Sequence, residues 1–129
     1  MLWRATLAWQ REMRAALAPH ELTHVQFVLL ASLWWLSEHG EPPTQKALAD
    51  QAGTDAMMTS QVLRRLEAAG LIERNPHPRD SRARLLAVTP EGREKLKAAL
   101  HDVEAADARF FKDPAGVISA LGDEAMRRR

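Results

Sequence analysis

Cysteine is missing from all 129 residues, so the chain can form no disulfide, no thiolate metal site and no thiol redox switch. Long hydrophobic runs are missing as well. The longest, Val25 to Leu36, is interrupted by Gln26 and Ser32 and falls short of the roughly 20 residues that span a bilayer. The first 17 residues carry Arg4, Gln10, Arg11, Glu12 and Arg14 where a secretory signal would have an uninterrupted apolar stretch. These absences predict a cytoplasmic protein without a membrane segment. Signatures of catalysis are equally scarce: there is no Gly-rich phosphate loop, no G-x-S-x-G elbow and no H-E-x-x-H pair. The carboxylates read mostly as helix-surface partners of basic residues, as Glu91 for Lys95, so no catalytic residue is expected. Internal repeats and low-complexity tracts are absent too.

What is present suits one folded domain spanning residues 1–129, or one protomer of something larger. Hydrophobic residues at 46% and charged residues at 27% are ordinary globular values. The net charge of +1 hides an uneven distribution. Residues 64–84 hold six basic side chains (Arg64, Arg65, Arg74, Arg79, Arg82, Arg84) against Glu67, Glu73 and Asp80, a net of +3. Arg127, Arg128 and Arg129 add another +3, which leaves −5 for the rest. Basic charge gathered in one stretch suggests a surface that faces a polyanion; on charge alone a solvated face remains open.

The apolar pattern orders the chain. Residues 2–18 read as a helix too greasy for a free surface, stopped by Pro19. Thr23 with Gln26 three residues on is a helix-start signal, and two apolar stripes (Val25, Leu29, Leu33, Leu36; Phe27, Leu30, Trp34) make the helix it opens the central buried one, ended by Gly40 and Pro42-Pro43. Thr44 caps a short helix, residues 45–51, that buries Ala47 and Leu48. Gly53 ends it, and Thr54 or Asp55 caps the next, which runs to about Ala69 with Thr59, Val62, Leu63 and Leu66 inward. Two helices across a tight Gly-containing turn form a helix-turn-helix. The period then changes: residues 71–74 and 82–88 are strand-like, and the turn formers of residues 75–81 between them make a hairpin with a basic tip. Thr89 with Pro90 opens a long helix to about Phe111 with Leu96, Ala99, Leu100, Val103, Ala106 and Phe110 in one stripe. Asp113-Pro114 breaks it before a last helix, residues 115–126. The fold class expected is mainly α with a small two-stranded β wing.

The second helix of the helix-turn-helix turns Met57, Met58, Ser60, Gln61, Arg64 and Arg65 away from its apolar face. Gln61 suits adenine N6 and N7, Ser60 either class of base edge, and a methionine a thymine methyl. Arg64 and Arg65, farther along, suit phosphate. One of the two methionines can equally be core filler. Five histidines raise the question of a metal, since His20 and His24 are four apart and His101 can approach them. Pro19 and the Thr23 cap put the first two on different segments, however, and no second His lies one turn from His101. No metal site and no cofactor is expected.

Four segments carry a resemblance: Leu22-Thr23-His24-Val25-Gln26-Phe27, Arg65 to Arg74 (RLEAAGLIER), Pro78-Arg79-Asp80-Ser81-Arg82-Ala83, and Val88-Thr89-Pro90-Glu91-Gly92. In this order, spanning residues 22–100, the chain resembles the MarR family of dimeric winged-helix transcription factors. The Leu-Glu-x-x-Gly-Leu-Ile joint is shared by many winged helices; the ordered set with the Asp-x-Arg wing is more specific. The few residues before the first helix and the short part after Phe110 depart from the family pattern, and both touch its dimer interface.

The resemblance implies a winged helix-turn-helix part at residues 23–89, dimerisation helices at residues 1–18 and 90–129, and a homodimer binding double-stranded DNA as a ligand-responsive repressor on a pseudo-palindromic operator. It implies Arg82 in the minor groove, with Asp80 holding either the wing backbone or Arg82 in register, and phosphate contacts from Arg79 and Arg84. It also implies a small aromatic or phenolic effector, for which Trp9, Trp34, Trp35 and His39 can line a pocket; the same tryptophans can simply fill core and interface. A rival reading is a winged-helix protein-interaction module that never reads DNA. Three arginines clustered at one tip speak against it.

Overall fold

A computed structural model describes residues 2–112. The expected last helix and the three terminal arginines lie outside the described residues. The chain forms α1 (Leu2–Leu17), a 3-10 turn (Ala18–His20), α2 (His24–His39), α3 (Gln45–Ala52), α4 (Ala56–Ala68), β1 (Ile72–Pro76), β2 (Arg84–Val88) and α5 (Pro90–Lys112). It is mainly helical with one two-stranded antiparallel sheet. No helix among the described residues is long and apolar enough to cross a membrane. Two compact units divide the chain, residues 24–98 and residues 2–23 with the chain from Ala99 onward.

In the unit of residues 24–98 the core is built on α2, whose Phe27, Leu29, Leu30 and Leu33 are buried. This helix packs against α3, α4 and β2. Its continuation is blocked at Pro42-Pro43, and Pro43 has a second use: its carbonyl accepts the Leu86 N–H at 2.9 Å, docking β2 beside the entry to α3. Thr44 caps α3, its hydroxyl accepting the Ala47 N–H at 3.2 Å. The buried pair of α3 is Leu48 and Ala49, not Leu48 and Ala47 as the sequence suggested. Ala47 faces out, because in a helix of only eight residues the narrow inward stripe has room for two neighbours.

The strands also depart from expectation. Asn75 and Pro76, read as turn formers, belong to β1, and β2 begins at Arg84 rather than Arg82. The register pairs Ile72 with Val88, Arg74 with Leu86 and Pro76 with Arg84. A two-stranded sheet has only edges, and a proline that lacks an N–H is tolerated at an edge.

The end of α4, both strands and the start of α5 meet at one joint. Gly70 takes the left-handed conformation (φ +77°) that ends the turn after α4. The Thr89 hydroxyl donates to the Gly70 carbonyl at 2.6 Å and accepts the Gly92 N–H at 3.0 Å, while the Thr89 N–H donates to the Leu71 carbonyl at 3.0 Å. Thr89 therefore caps α5 and ties it to the chain leaving α4. Gly92 completes the joint by having no side chain: a Cβ there would lie 2.0 Å from the Leu71 carbonyl oxygen.

In the other unit, α1 buries Met13 and Leu17 and ends in the 3-10 turn that contains Pro19, which Glu21 closes in the left-handed conformation (φ 57°). The Trp9 indole N–H donates to the Asp107 carboxylate at 2.7 Å. His20 and His101 converge on one carboxylate rather than on each other, at 2.6 and 3.4 Å from Asp102. Hydrogen bonds from His20 and then His101 hold the Asp102 carboxyl below the usual carboxylate range. Of the apolar stripe on α5, Leu96, Ala99 and Ala106 are buried, while Leu100 is 38% exposed. Trp3 and Leu7 on α1 are 62% and 41% exposed.

The joint yields a prediction. In an ordinary helix, alanine is favoured over glycine by about 1 kcal/mol. Gly92→Ala should reverse that order and destabilise the fold by about 2 kcal/mol, since a methyl group forced onto a backbone oxygen can only be relieved by moving α5. Denaturant unfolding checks it, and a variant as stable as the parent would mean that α5 does not rest on Leu71.

Candidate nucleic-acid interface

The turn between α3 and α4 fixes the orientation of α4. Gly53 leaves α3 in the left-handed conformation (φ 71°), and the Thr54 N–H donates to the Ala49 carbonyl at 3.1 Å. Asp55, not Thr54, is the cap: extended at φ −73° and ψ 158°, it accepts the Met58 N–H on its carboxylate at 2.7 Å, a bond contributing about 1 kcal/mol. Thr59 is the buried polar residue of this helix, and its hydrogen bonds are satisfied: its hydroxyl donates to the Asp55 carbonyl at 2.7 Å and meets the Thr54 hydroxyl at 2.6 Å. With Thr59, Val62, Leu63 and Leu66 inward, the opposite face of α4 is forced outward.

That outward face holds the side chains singled out from the sequence. Met57 is 73% exposed and Met58 is half-buried, so Met57 is not core filler. Gln61, Arg64 and Arg65 are exposed, and Ser60 is half-buried. Arg64 folds back along its own helix, donating to the Ser60 hydroxyl at 3.2 Å and to the Ser60 carbonyl at 3.4 Å.

Arg79, Asp80, Arg82 and Arg84 are all exposed on the hairpin. Asp80 takes the backbone role: its carboxylate accepts the Arg82 N–H at 3.0 Å in an Asx-type turn. Its carbonyl accepts the Ala83 N–H at 3.1 Å, and the Ala83 carbonyl accepts the His77 N–H at 3.4 Å. The His77 imidazole, which the sequence reading passed over as part of a turn-forming run, accepts two backbone N–H groups on Nδ1, from Arg79 at 3.0 Å and Asp80 at 3.1 Å. A His placed two and three residues before the basic tip was the available signal, since imidazole Nδ1 sits where the Asn oxygen of an Asx turn would.

Arg74 was the other omission. It shares a sheet face with Leu86 and donates to Glu67 of α4 at 3.3 Å and to Gln45 of α3 at 3.1 Å. This one guanidinium braces the hairpin against both helices of the helix-turn-helix, and its charge is spent there.

Of the four aromatic residues named for an effector pocket, Trp34, Trp35 and His39 lie on α2 and Trp9 on α1. Trp35 and His39 stack on α2 with ring centroids 4.2 Å apart, and the His39 Nδ1–H donates to the Trp35 carbonyl at 2.8 Å. Trp34 beside them is half-buried. Trp9 belongs to the other unit, bonded to Asp107. A separate open cleft of about 590 Å³ lies between the end of α2, the start of α3 and the hairpin, with Leu36, Pro42, Pro43 and Leu85 against Glu41, His77 and Arg79.

The MarR family model matches residues 22–83. YdcH, an uncharacterized HTH-type transcriptional regulator of Bacillus subtilis (strain 168), is 51% identical over 111 residues, covering 86% of this chain and 76% of its own. The HTH-type transcriptional repressor Rv2887 of Mycobacterium tuberculosis is 33% identical over the same length, covering 86% and 77%. The chain belongs to the MarR family. It is a transcriptional regulator of the helix-turn-helix type, and the fold agrees. A MarR-family regulator from Rhodococcus sp. RHA1 superposes with a TM-score of 0.75 at 29% identity, over 95% of this chain and 84% of that one. Rv2887, solved in complex with DNA, superposes at 0.69 with 32% identity over 86% and 79%; it has also been solved with p-aminosalicylic acid.

Proposed function

We propose that this MarR-family protein is a homodimeric repressor that binds a pseudo-palindromic operator, with α4 of each protomer in the major groove and the hairpin wing in the adjacent minor groove. The observation that carries the reading is that one compact unit, residues 24–98, holds two exposed basic features. These are the outward face of α4, with Met57, Ser60, Gln61, Arg64 and Arg65, and the wing tip, with Arg79, Asp80, Arg82 and Arg84. Gln61 reads a base edge, Met57 and Met58 meet thymine methyls, and Arg64 and Arg65 exchange intrahelical partners or water for phosphate. Arg82 enters the minor groove, where a guanidinium senses groove width. A protein-interaction module has no use for arginines at such a tip, and the DNA complex of Rv2887 supports the same choice.

Dimerisation is supported by Trp3, Leu7 and Leu100, large apolar side chains left exposed in the unit that holds α1 and the later part of α5. Monomeric proteins rarely leave such a surface uncovered. In this reading α1 and the later part of α5 serve in dimerisation and residues 23–89 are the DNA-binding part. Sedimentation at micromolar concentration should give a dimer; a stable folded monomer would remove this part of the reading.

Control by a small aromatic effector follows a population shift: a ligand that favours a dimer with the wrong spacing between its two α4 helices lowers operator affinity. The exposed Trp35–His39 stack is a surface on which an aromatic ring can lie. The complex of Rv2887 with p-aminosalicylic acid makes that compound the first probe. It should weaken DNA binding by this protein, less so in Trp35→Ala, and equal inhibition of both proteins would exclude Trp35 from the site.

One binding experiment tests the DNA reading. The protein selects a duplex from a random-sequence pool, and affinities are measured on that duplex and on single-base variants over a range of salt. Gln61→Ala should lose about 1 to 3 kcal/mol of discrimination at one base pair per half-site and little elsewhere. Arg82→Ala should lose more affinity on duplexes with A·T-rich flanks than with G·C-rich flanks. Uniform losses across sequences would make both residues backbone contacts, and unchanged affinity for Arg82→Ala would take the wing off DNA.

A further inference from the structure

The wing tip is held by a closed set of hydrogen bonds, and one side chain starts it. His77 Nδ1 accepts the N–H groups of Arg79 and Asp80. The Asp80 carboxylate accepts that of Arg82, and the Asp80 and Ala83 carbonyls close the loop back to the His77 N–H. The sequence around His77 prepares it for this. Pro76 and Pro78 flank it, and a residue that precedes proline is steered away from the helical region, toward an extended backbone. A ring nitrogen accepts N–H bonds only while it carries no proton of its own.

We propose that His77 is the positioning residue of the wing: its unprotonated Nδ1 holds the backbone from Arg79 to Arg82 in the shape that meets DNA. This rests on the reading of the wing as a DNA contact. The arginines themselves cannot do this work, because their side chains are exposed and their charges repel one another. Ordering the tip before DNA arrives removes an entropic cost from binding. The arrangement depends on proton occupancy. When Nδ1 takes a proton it becomes a donor facing two donors, and the Arg79 and Asp80 amides lose their acceptor. The charged groups around the imidazole are Glu41 and Arg79, which line the cleft with it, Asp80 and Arg82 in the tip, and Arg84, which stands opposite Pro76 in the sheet.

Asparagine is the discriminating substitution, since its side-chain oxygen occupies the position of Nδ1 and accepts bonds at any ordinary pH. In the free protein, the backbone amide resonances of Arg79 and Asp80 should move in step with the His77 imidazole resonances as the imidazole takes up a proton. In His77→Asn they should stay still. On the duplex selected by the parent protein, His77→Ala should bind about tenfold more weakly, the loss of one well-ordered contact, while His77→Asn should stay within about threefold of the parent. Amides that ignore the imidazole titration would overturn the proposal. So would alanine and asparagine variants that behave alike, whether both weak or both unimpaired. Arg82→Ala is measured alongside: unchanged affinity there would remove the wing from DNA whatever the amides do, so the two failures are told apart.

Discussion

The approach of α5 to the backbone of Leu71 constrains where every other part of the unit of residues 24–98 stands. The methyl that most residues would bring at position 92 would sit 2.0 Å from a carbonyl oxygen, so glycine is the condition for the contact. Thr89 then satisfies three polar groups there, the Gly70 and Leu71 carbonyls and the Gly92 N–H. The chain leaving α4 enters β1 at this point and the chain leaving β2 becomes α5. Helix α4, the hairpin and α5 therefore share one anchorage, and a shift of α5 must be felt by the other two.

Outside the joint, single polar bonds brace the unit around the buried core that Leu29, Leu30, Leu33, Leu48, Leu63, Leu66 and Leu86 form. Arg74 ties the sheet to α3 and α4, the Pro43 carbonyl ties β2 to the loop before α3, and Thr59 ties the start of α4 to the turn. Each such bond contributes about 1 kcal/mol, but each also fixes an angle. For the groove-reading role proposed for α4, angle matters more than the sum of contact energies, because a base edge is read only by a side chain in the right place.

How much of this was legible in the sequence depended on the kind of signal. The inward face of α4 came out correctly, Thr59 included, because a 3.6-residue period sorts thirteen residues into two faces with little ambiguity. The same rule misplaced Ala47 in α3, since eight residues leave the period poorly defined. Pro76 looked like a turn residue and proved to be the end of a strand, for propensity alone does not say whether a strand is an edge. The His77 turn is local and was passed over as one more turn former, whereas the bonds of Arg74 were not legible at all. They depend on which residues the hairpin register and the helix-turn-helix bring near, and a register is a property of the folded pair of strands.

The charge count illustrates the same limit from another side. Six arginines between residues 64 and 84 looked like one basic surface. In the fold, Arg74 turns to Glu67 and Gln45, and the Asp80 carboxylate is occupied with the Arg82 backbone. The pair of Arg74 and Glu67 cancels within the unit, and the field above it comes from Arg64 and Arg65 on the helix and from Arg79, Arg82 and Arg84 on the wing. This division leaves positive charge in two separate places with the uncharged Met57 and Gln61 on the helix. A uniform basic patch would favour any duplex equally, since phosphate contacts carry no sequence information. In the reading proposed above, two charged anchors and the uncharged Gln61 favour one register on the duplex, in which Gln61 meets a base edge.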